Sequence, residues 1–575
     1  MKDASATRNA RRPRSGKSRA AVAVVCALAA LFFAQSLSAS LQKSATFDEP
    51  MHITAGLSYL GTGRIVISPD HPPLLKELSA AVLQLARIHW PATPEAAALI
   101  DREVRFPQAL ARSVVVDNGP DRVLFWARLP LIFLNTALVF GVYMLGRRLA
   151  GTIAGVAAAF LCAFDPNTVA HSFLVTTDLG VTTLLVLFMV ALWDYIDRPG
   201  PVHVVGSGVA LGAALGAKYS AVILPPIAAF LLLAAVRWPP AGAQSLAKGP
   251  ASKQKAEPVT VDLLRRYAIA FVAMCVVAFV VLQIIYLFPH DPLQYIAGWR
   301  AIYGGPVQGF EGYMAGRLAP RFYSYYIVAF LLKEPIATIA LVVIGLWLAI
   351  KGANLPPLNR AFLLLPPILI VAGYTVMSFN IGIRYLLPAL PFAHVLGGLA
   401  IARLVESVRT TARVVAVLAC GWVVLAAAGI YPDSLSYFNE AACLFTDPSR
   451  LGLDGGSRCG PMWLDDSNVD WGQGLKQLKT WLDRNAPGRE VRLGYFGTVP
   501  PEAYGLKELP MSDDDILRGT SPGLYAVSAH IVASTPAVAK QMRGGGAEWL
   551  RQTRPIAIVG HAYYIFEIPD RQPSR

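Results

Sequence analysis

The run AAVAVVCALAALFFAQSLSASLQKSATFDEP (20–50) decides how the rest of the chain is read. Residues 20–39 carry no charge and match the length of about 20 residues that an α-helix needs to cross a bilayer. Upstream lie Lys2, Arg8, Arg11, Arg12, Arg14, Lys17 and Arg19, a basic tail that the positive-inside tendency keeps in the cytoplasm. Downstream, Asp48 and Glu49 stand side by side within ten residues of the end of the run. A retained first span therefore delivers an acidic pair to the outer face. A cleaved signal peptide is the alternative, because a basic start and the small residues SLSAS are both present, but the apolar run exceeds the usual core of about 7–15 residues.

The whole chain carries the same signal. Of 575 residues 54% are apolar and only 15% charged, with a mean hydropathy of +0.46, which excludes a large soluble enzyme. The formal charge of +14 fits basic cytoplasmic loops facing anionic lipid, and no basic run is interleaved with aromatics as a nucleic-acid groove requires. Ten further apolar segments follow the first, at 124–146, 150–164, 168–193, 203–217, 219–236, 267–288, 324–350, 361–378, 384–402 and 414–430. The expected fold is a polytopic α-helical membrane protein of about eleven spans.

Basic residues alternate as that count demands. Arg147 and Arg148, Arg198, the Lys/Arg-rich stretch from Arg237 to Arg266, Lys351 and Arg360, and Arg403, Arg409 and Arg413 fall inside, whereas the short outer connections hold only Lys218, Arg300, Arg317, Arg321 and Arg384. The expected organisation is a basic tail (1–19), a helical core (20–430) with a long outer loop (40–123), and an outer domain (431–575). That last part changes character, with strand-like runs at 491–496, 523–532 and 562–568 and an amphipathic stretch from Trp471 to Leu482, so it reads as a small α/β domain. No CxxC or Cys/His ligand spacing occurs. Cys443 and Cys459 are the only cysteines outside the apolar runs, and on an oxidising face the pair closes a loop.

Chemistry-bearing residues cluster toward the outer side. Besides Asp48 and Glu49, the long loop holds Asp70-His71-Pro72-Pro73-Leu74 after a Gly-rich turn, ahead of an amphipathic segment from Leu74 to Leu85. Arg128, Asp178 and Arg384 lie within or at the outer ends of apolar runs, where an ionised group costs at least ~2.5 kcal/mol and is paired or lines a wet cavity. Lys333 and Glu334 interrupt another run just before Pro335, which predicts a kinked or re-entrant outer half.

Taken in order, the Asp-Glu pair, HPPL (71–74), ARLP (127–130), TTD (176–178), LLKEP (331–335) and IRYLLPALPF (383–392) resemble the GT-C superfamily of membrane glycosyltransferases. Within it the closest branch is glycosyltransferase family 39, which contains protein O-mannosyltransferases and bacterial aminoarabinose transferases. The resemblance covers about residues 40–430, and YFNE (437–440) and DSNVDWGQGLKQL (466–478) resemble strings that follow the core in a bacterial subset. It implies transfer of a sugar, with inversion, from a polyprenyl-phosphate carrier to an acceptor on the outer face of a bacterial inner membrane. Asp48 matches the family's catalytic aspartate, a general base, with Glu49 beside it. Arg128 and Arg384 are the candidates to hold the donor phosphate, Arg128 alternatively pairing with Glu49 to shape the loop. Asp178 matches a second acidic position, and Asp70 and His71 are supporting residues. A divalent metal ion is required in some branches, and no ligand cluster in the sequence decides it. The acceptor is open among lipid, glycan and protein, since this outer domain is C-terminal rather than inserted between core helices. A lipid or sugar flippase is the competing reading and a scaffold a third, although no repeat of the kind transporters show is visible.

Overall fold

The computed structural model describes residues 15–91, 93–99, 108–240, 259–303, 311–352, 355–377, 379–519 and 521–569. In lipid a backbone must satisfy its own polar groups, so the apolar runs form helices. Seven of these, among the described residues, are long and apolar enough to cross a membrane: Arg19–Gln42, Pro120–Ala150, Asp178–Asp197, Tyr219–Arg237, Thr260–Ile285, Pro357–Met377 and Thr410–Ile430. Tyr325–Lys333 and Ile336–Ile350 make a further one if counted as a single broken span, bent by 118°. Glu334 at the break is extended, as a residue before proline tends to be, and Pro335 has no amide hydrogen to continue the helix. The remaining expected spans correspond to the shorter helices Thr152–Phe164, Pro201–Ala217 and Leu390–Glu406. The protein is thus a multi-pass helical membrane protein with a small sheet near its C-terminus. The middle of the basic stretch expected between Arg237 and Arg266 (241–258) lies outside the described residues.

Besides the 324–350 run, two apolar runs are broken among the described residues. The 168–193 run breaks at 172–177 and its long helix begins at Asp178, because backbone groups there are used elsewhere: Val175 N donates to Glu49 Oε1 at 3.0 Å. The 384–402 run opens with a single 3₁₀ turn, Ile383–Leu386, and the α-helix proper starts at Leu390, as Pro388 and Pro391 dictate. Hydropathy cannot see either break, since the broken segments are as apolar as the helices. The Gly-rich helix Pro201–Ala217 packs on Val259–Ile285 through Gly208, Gly212 and Gly216. A Cβ at these positions would sit 2.6 Å from Val277 Cβ, 2.7 Å from Val281 Cβ and 2.6 Å from Ile285 Cδ1, so hydrogen at these positions is what lets the backbones approach.

A hairpin, β1 (Gly312–Met314) and β2 (Arg317–Ala319), precedes the broken span. The C-terminal sheet contains β3 (Val491–Gly494), β4 (Leu509–Pro510), β5 (Gly523–Ser528), β6 (Ala557–Val559) and β7 (Tyr563–Ile568), in the order β4-β3-β5-β7-β6. β3 runs parallel to β4 and β5, while β7 is antiparallel to both β5 and β6. Leu475 and Leu478 of the amphipathic helix Leu475–Asn485 pack with Val491, Leu493, Leu524 and Ile565 as a separate small core. The expected strand 523–532 ends early, at Ser528, whose hydroxyl accepts the His530 N–H at 3.2 Å and starts the helix Ala529–Arg543. Cys443 and Cys459 are disulfide-bonded, as their position suggested.

This C-terminal part grips the chain just before Asp48. Ser44 N donates to Gln473 O at 3.1 Å and Phe47 N to Trp471 O at 2.7 Å, while Ser44 Oγ donates to Gly472 O at 2.8 Å. Gly472 has φ +94° and a Cβ there would be 3.0 Å from Phe496 O, so glycine is needed for this approach. Lys43 is paired with Asp433, which also takes a 2.8 Å contact from His561 Nδ1.

Candidate active site

Asp48 closes the segment leaving the first helix and immediately precedes the helix Glu49–Thr62, with Pro50 in its first turn. Consecutive residues cannot face the same way, and here the acidic pair divides. Glu49 points inward, fully buried, and takes five donors: Thr46 N at 2.8 Å, Thr46 Oγ1 at 3.1 Å, Val175 N at 3.0 Å, and Arg128 Nε and Nη2 at 2.8 and 2.7 Å. Burial alone would raise its pKa, and Arg128 with these amides overcomes that and holds Glu49 below the usual glutamate value. Arg128 is fully buried too; Nη1 donates to Ser40 O and Lys43 O, and Nη2 to Ser44 O. Its fork thus donates to Glu49 and to the carbonyls of the loop.

Asp48 faces a cavity of about 470 Å³ between the helical part and the C-terminal sheet. A third of its side chain is exposed there, and Oδ2 accepts from Arg384 Nη1 at 3.0 Å. Burial pushes the Asp48 carboxyl above its ordinary value despite the opposing charge of Arg384, helped by Asp466 and Asp178. Arg384 lies in the 3₁₀ turn, its guanidinium 4.3 Å from the Trp471 ring centroid, and its Nε has no hydrogen-bond partner among the described residues. No acid in its own segment neutralises it; the acid comes from Asp48.

The far wall of this cavity was not singled out as functional in the sequence. Asp465, Asp466, Trp471, Phe496 and His530 line it, together with Glu311 and Tyr313 near the hairpin. His530 Nδ1 lies 2.9 Å from Asp465 Oδ1, and Phe496 stacks on the imidazole at 3.9 Å between centroids. Burial opposes a charge on His530, yet Asp465, Asp466 and Asp470 raise its pKa to about 9, so it is an imidazolium at neutral pH. The only signal was the resembling string 466–478, which contains Asp466 and Trp471; His530 gave none, because its partners are distant in sequence.

Asp178 and Lys218 form a buried pair at 2.5 Å, and the Lys218 ammonium lies 4.6 Å from the centroid of Tyr385, whose ring also lies 5.5 Å from Arg384. Two cations thus lie near one tyrosine; the sequence places Lys218 only among the outer-side charges. Tyr374, 5.6 Å from the Tyr385 ring, opens a second, almost wholly apolar groove of about 240 Å³ lined by Val222, Ile223, Pro226, Trp299 and Met377. Asp70 and His71 do not line the Asp48 cavity. Asp70 accepts from Ser68 Oγ at 2.6 Å and borders a separate cavity of about 390 Å³ with Tyr219 and Tyr286, and His71 stacks on His52 at 5.6 Å. Lys76 Nζ donates to Ser68 O at 2.5 Å and ties this turn to the helix Leu74–Leu85. Among the described residues only Asp165, Glu334 and His394, away from Asp48, bring three ligand atoms within 4.8 Å of one another.

The sequence model of the family described as dolichyl-phosphate-mannose-protein mannosyltransferase matches residues 121–245, the segment that supplies Arg128, Asp178 and Lys218. Over that segment the chain is similar to this family of membrane glycosyltransferases. Among solved structures it is similar to ArnT from Cupriavidus metallidurans bound to undecaprenyl phosphate, at 12% identity over 96% of this chain and 98% of that one, with a TM-score of 0.44. It is also similar to the archaeal oligosaccharyltransferase AglB from Archaeoglobus fulgidus in complex with an inhibitory peptide and a dolichol-phosphate, at 13% identity over 73% and 59% of the two chains, with a TM-score of 0.43. No curated protein matches the chain.

Proposed function

We propose that this protein is a GT-C glycosyltransferase that moves a sugar from a polyprenyl-phosphate carrier to an acceptor hydroxyl on the outer face of a bacterial inner membrane, with inversion, using Asp48 as general base. The observation that carries the reading is the division of the acidic pair: Glu49 is consumed by Arg128, whereas Asp48 is held open to a cavity by the edge of a guanidinium. Glu49 and Arg128 are then positioning residues that fix the loop from which Asp48 projects.

The acceptor hydroxyl gives its proton to an Asp48 oxygen as its own oxygen bonds to the anomeric carbon, and the bond from that carbon to the carrier phosphate breaks on the opposite face. The electron pair leaves with the phosphate. A carboxylate whose pKa is raised is a better base than an ordinary one, and such proton transfer contributes typically ~10²–10⁴-fold. The departing anion needs cations. Arg384 has one edge on Asp48 and its Nε free of partners among the described residues, and the Lys218 ammonium lies 4.6 Å from the centroid of the Tyr385 ring that Arg384 also approaches. The apolar groove one ring further on suits the first isoprene units of the carrier. The acceptor enters from the C-terminal side, past Asp465, Asp466 and His530.

The test is to incubate the purified protein in lipid with a polyprenyl-phosphate sugar and an envelope extract, and to follow both products. Stoichiometric release of polyprenyl phosphate together with a glycosylated product of inverted anomeric configuration is expected. Sugar carrier that merely changes leaflet without being consumed would replace this reading with the flippase.

A further inference from the structure

Away from the Asp48 cavity, three titratable side chains from separate elements meet in the interior. Asp165 ends the helix Thr152–Phe164 and caps the short helix Pro166–His171, Glu334 sits at the 118° break, and His394 projects from the helix Leu390–Glu406. Each is at most 2% exposed. One ligand atom from each lies within 4.8 Å of the other two. His394 Nε2 and Asp165 Oδ2 are 3.1 Å apart, a hydrogen-bond contact whose spacing is also that of two atoms sharing a cation at bonds of about 2.1 Å and angles between square and tetrahedral.

Hydrogen bonds account for part of this cluster only. Asp165 accepts from Asn167 N at 2.8 Å and Thr168 Oγ1 at 2.7 Å, and Glu334 Oε1 accepts from Asn167 Nδ2 at 3.0 Å. Glu334 Oε2 and His394 Nδ1 are buried with no hydrogen-bond partner among the described residues. The adjacent Lys333 ammonium interacts electrostatically with Glu334 and Asp165 but gives its hydrogen bonds elsewhere, to Leu435 O and Asn468 O, both at 2.7 Å. Two carboxyl groups and an imidazole gathered in a dry interior are costly without a bound cation or proton to compensate them.

We propose that Asp165, Glu334 and His394 bind a divalent first-row metal ion that pins the bent segment to the core. Two carboxylate oxygens and one imidazole nitrogen are a donor set suited to zinc or manganese. The site lies outside the catalytic reading and stands or falls without it. It has a structural consequence, because Lys333 reaches Asn468, whose Oδ1 accepts the Ile383 N–H at 3.0 Å beside Arg384. The ion would therefore steady the turn that carries Arg384 without touching substrate.

The experiment is metal analysis by mass spectrometry of the full chain, purified without chelator and with any affinity tag removed. About one equivalent of zinc or manganese per chain is expected, retained in Asp48→Asn and reduced at least tenfold in Glu334→Gln and His394→Ala. Because those variants can fail to fold, the parent is also treated with chelator, dialysed and titrated with Zn²⁺. Saturable 1:1 binding accompanied by a rise in unfolding temperature supports the site, and His394→Cys, which keeps a zinc ligand, retains it. A folded parent that contains no metal and binds no Zn²⁺ after chelation overturns the proposal and leaves a shared proton as the occupant. Metal content unchanged in folded His394→Ala overturns it as well.

Discussion

Replacing Arg128 by Gln removes a guanidinium that makes two hydrogen bonds to Glu49 and three to the carbonyls of Ser40, Lys43 and Ser44. The carbonyls lose partners, but the larger effect is the Glu49 carboxylate, left fully buried with only Thr46 and Val175 to satisfy it. Breaking one side of a buried pair costs about 3–5 kcal/mol, so Arg128→Gln should destabilise by roughly that amount. Glu49→Gln should cost less, since its amide still meets part of the cradle, and the double variant should recover a portion of the sum. A double-mutant cycle by tryptophan-monitored unfolding in detergent should give a coupling of about 2 kcal/mol or more. The sign with pH also follows. Because Glu49 titrates below its ordinary value of 4.5, the stability it supplies is present above that pH and lost as pH falls through its lowered value, so parent and Glu49→Gln converge in acid. Additive single effects, or Arg128→Gln unfolding within about 0.5 kcal/mol of the parent, would refute the pairing as the support of the Asp48 loop.

Three other outcomes follow from the same structure. The acid limb of kcat/KM should lie above the ordinary carboxylate range, because Asp48 must ionise to act and burial raises its pKa; Arg384→Gln removes the charge that opposes this and should move the limb higher still, and an unmoved limb would detach it from Asp48. Joining Cys443 to Cys459 closes a loop sixteen residues long, so the Cys443→Ser/Cys459→Ser protein should lose up to ~3 kcal/mol; peptide mapping that finds two free thiols in the parent would contradict it. Gly212→Val places side-chain atoms against Val281 and the Ala278 carbonyl and should cost at least ~1–3 kcal/mol, read as a fall in the monodisperse fraction on gel filtration; a parent-like profile would show that the two helices do not pack closely.

Several features were legible because they are local. Asp48 and Glu49 directly follow an unmistakable span, the LLKEP string marks its own break through Pro335, and Cys443 and Cys459 stand apart from the apolar cysteines. What sequence could not supply is direction and distance. Glu49 and Arg128 are 79 positions apart and Asp48 and Arg384 are 336 apart, so hydropathy could place them at one depth without choosing among pairings. Lys218 looked like one more outer charge until Asp178 was seen against it, and His530 looked like a strand residue until Ser528 ended that strand. The non-helical stretch at 172–177 was invisible for a related reason: the Val175 amide is claimed by a glutamate 126 positions earlier, an event that leaves no mark on the local pattern.

Turnover by Asp48→Asn, measured beside carrier binding, tests the central claim most directly. The amide keeps the shape of the carboxyl and its contact with Arg384 but cannot accept the acceptor's proton. The expected result is a fall in kcat of at least about 10²-fold with the polyprenyl-phosphate donor still bound and the unfolding profile unchanged. An Asp48→Asn protein that folds, binds donor and turns over near the parent rate would contradict the assignment of Asp48 as the base.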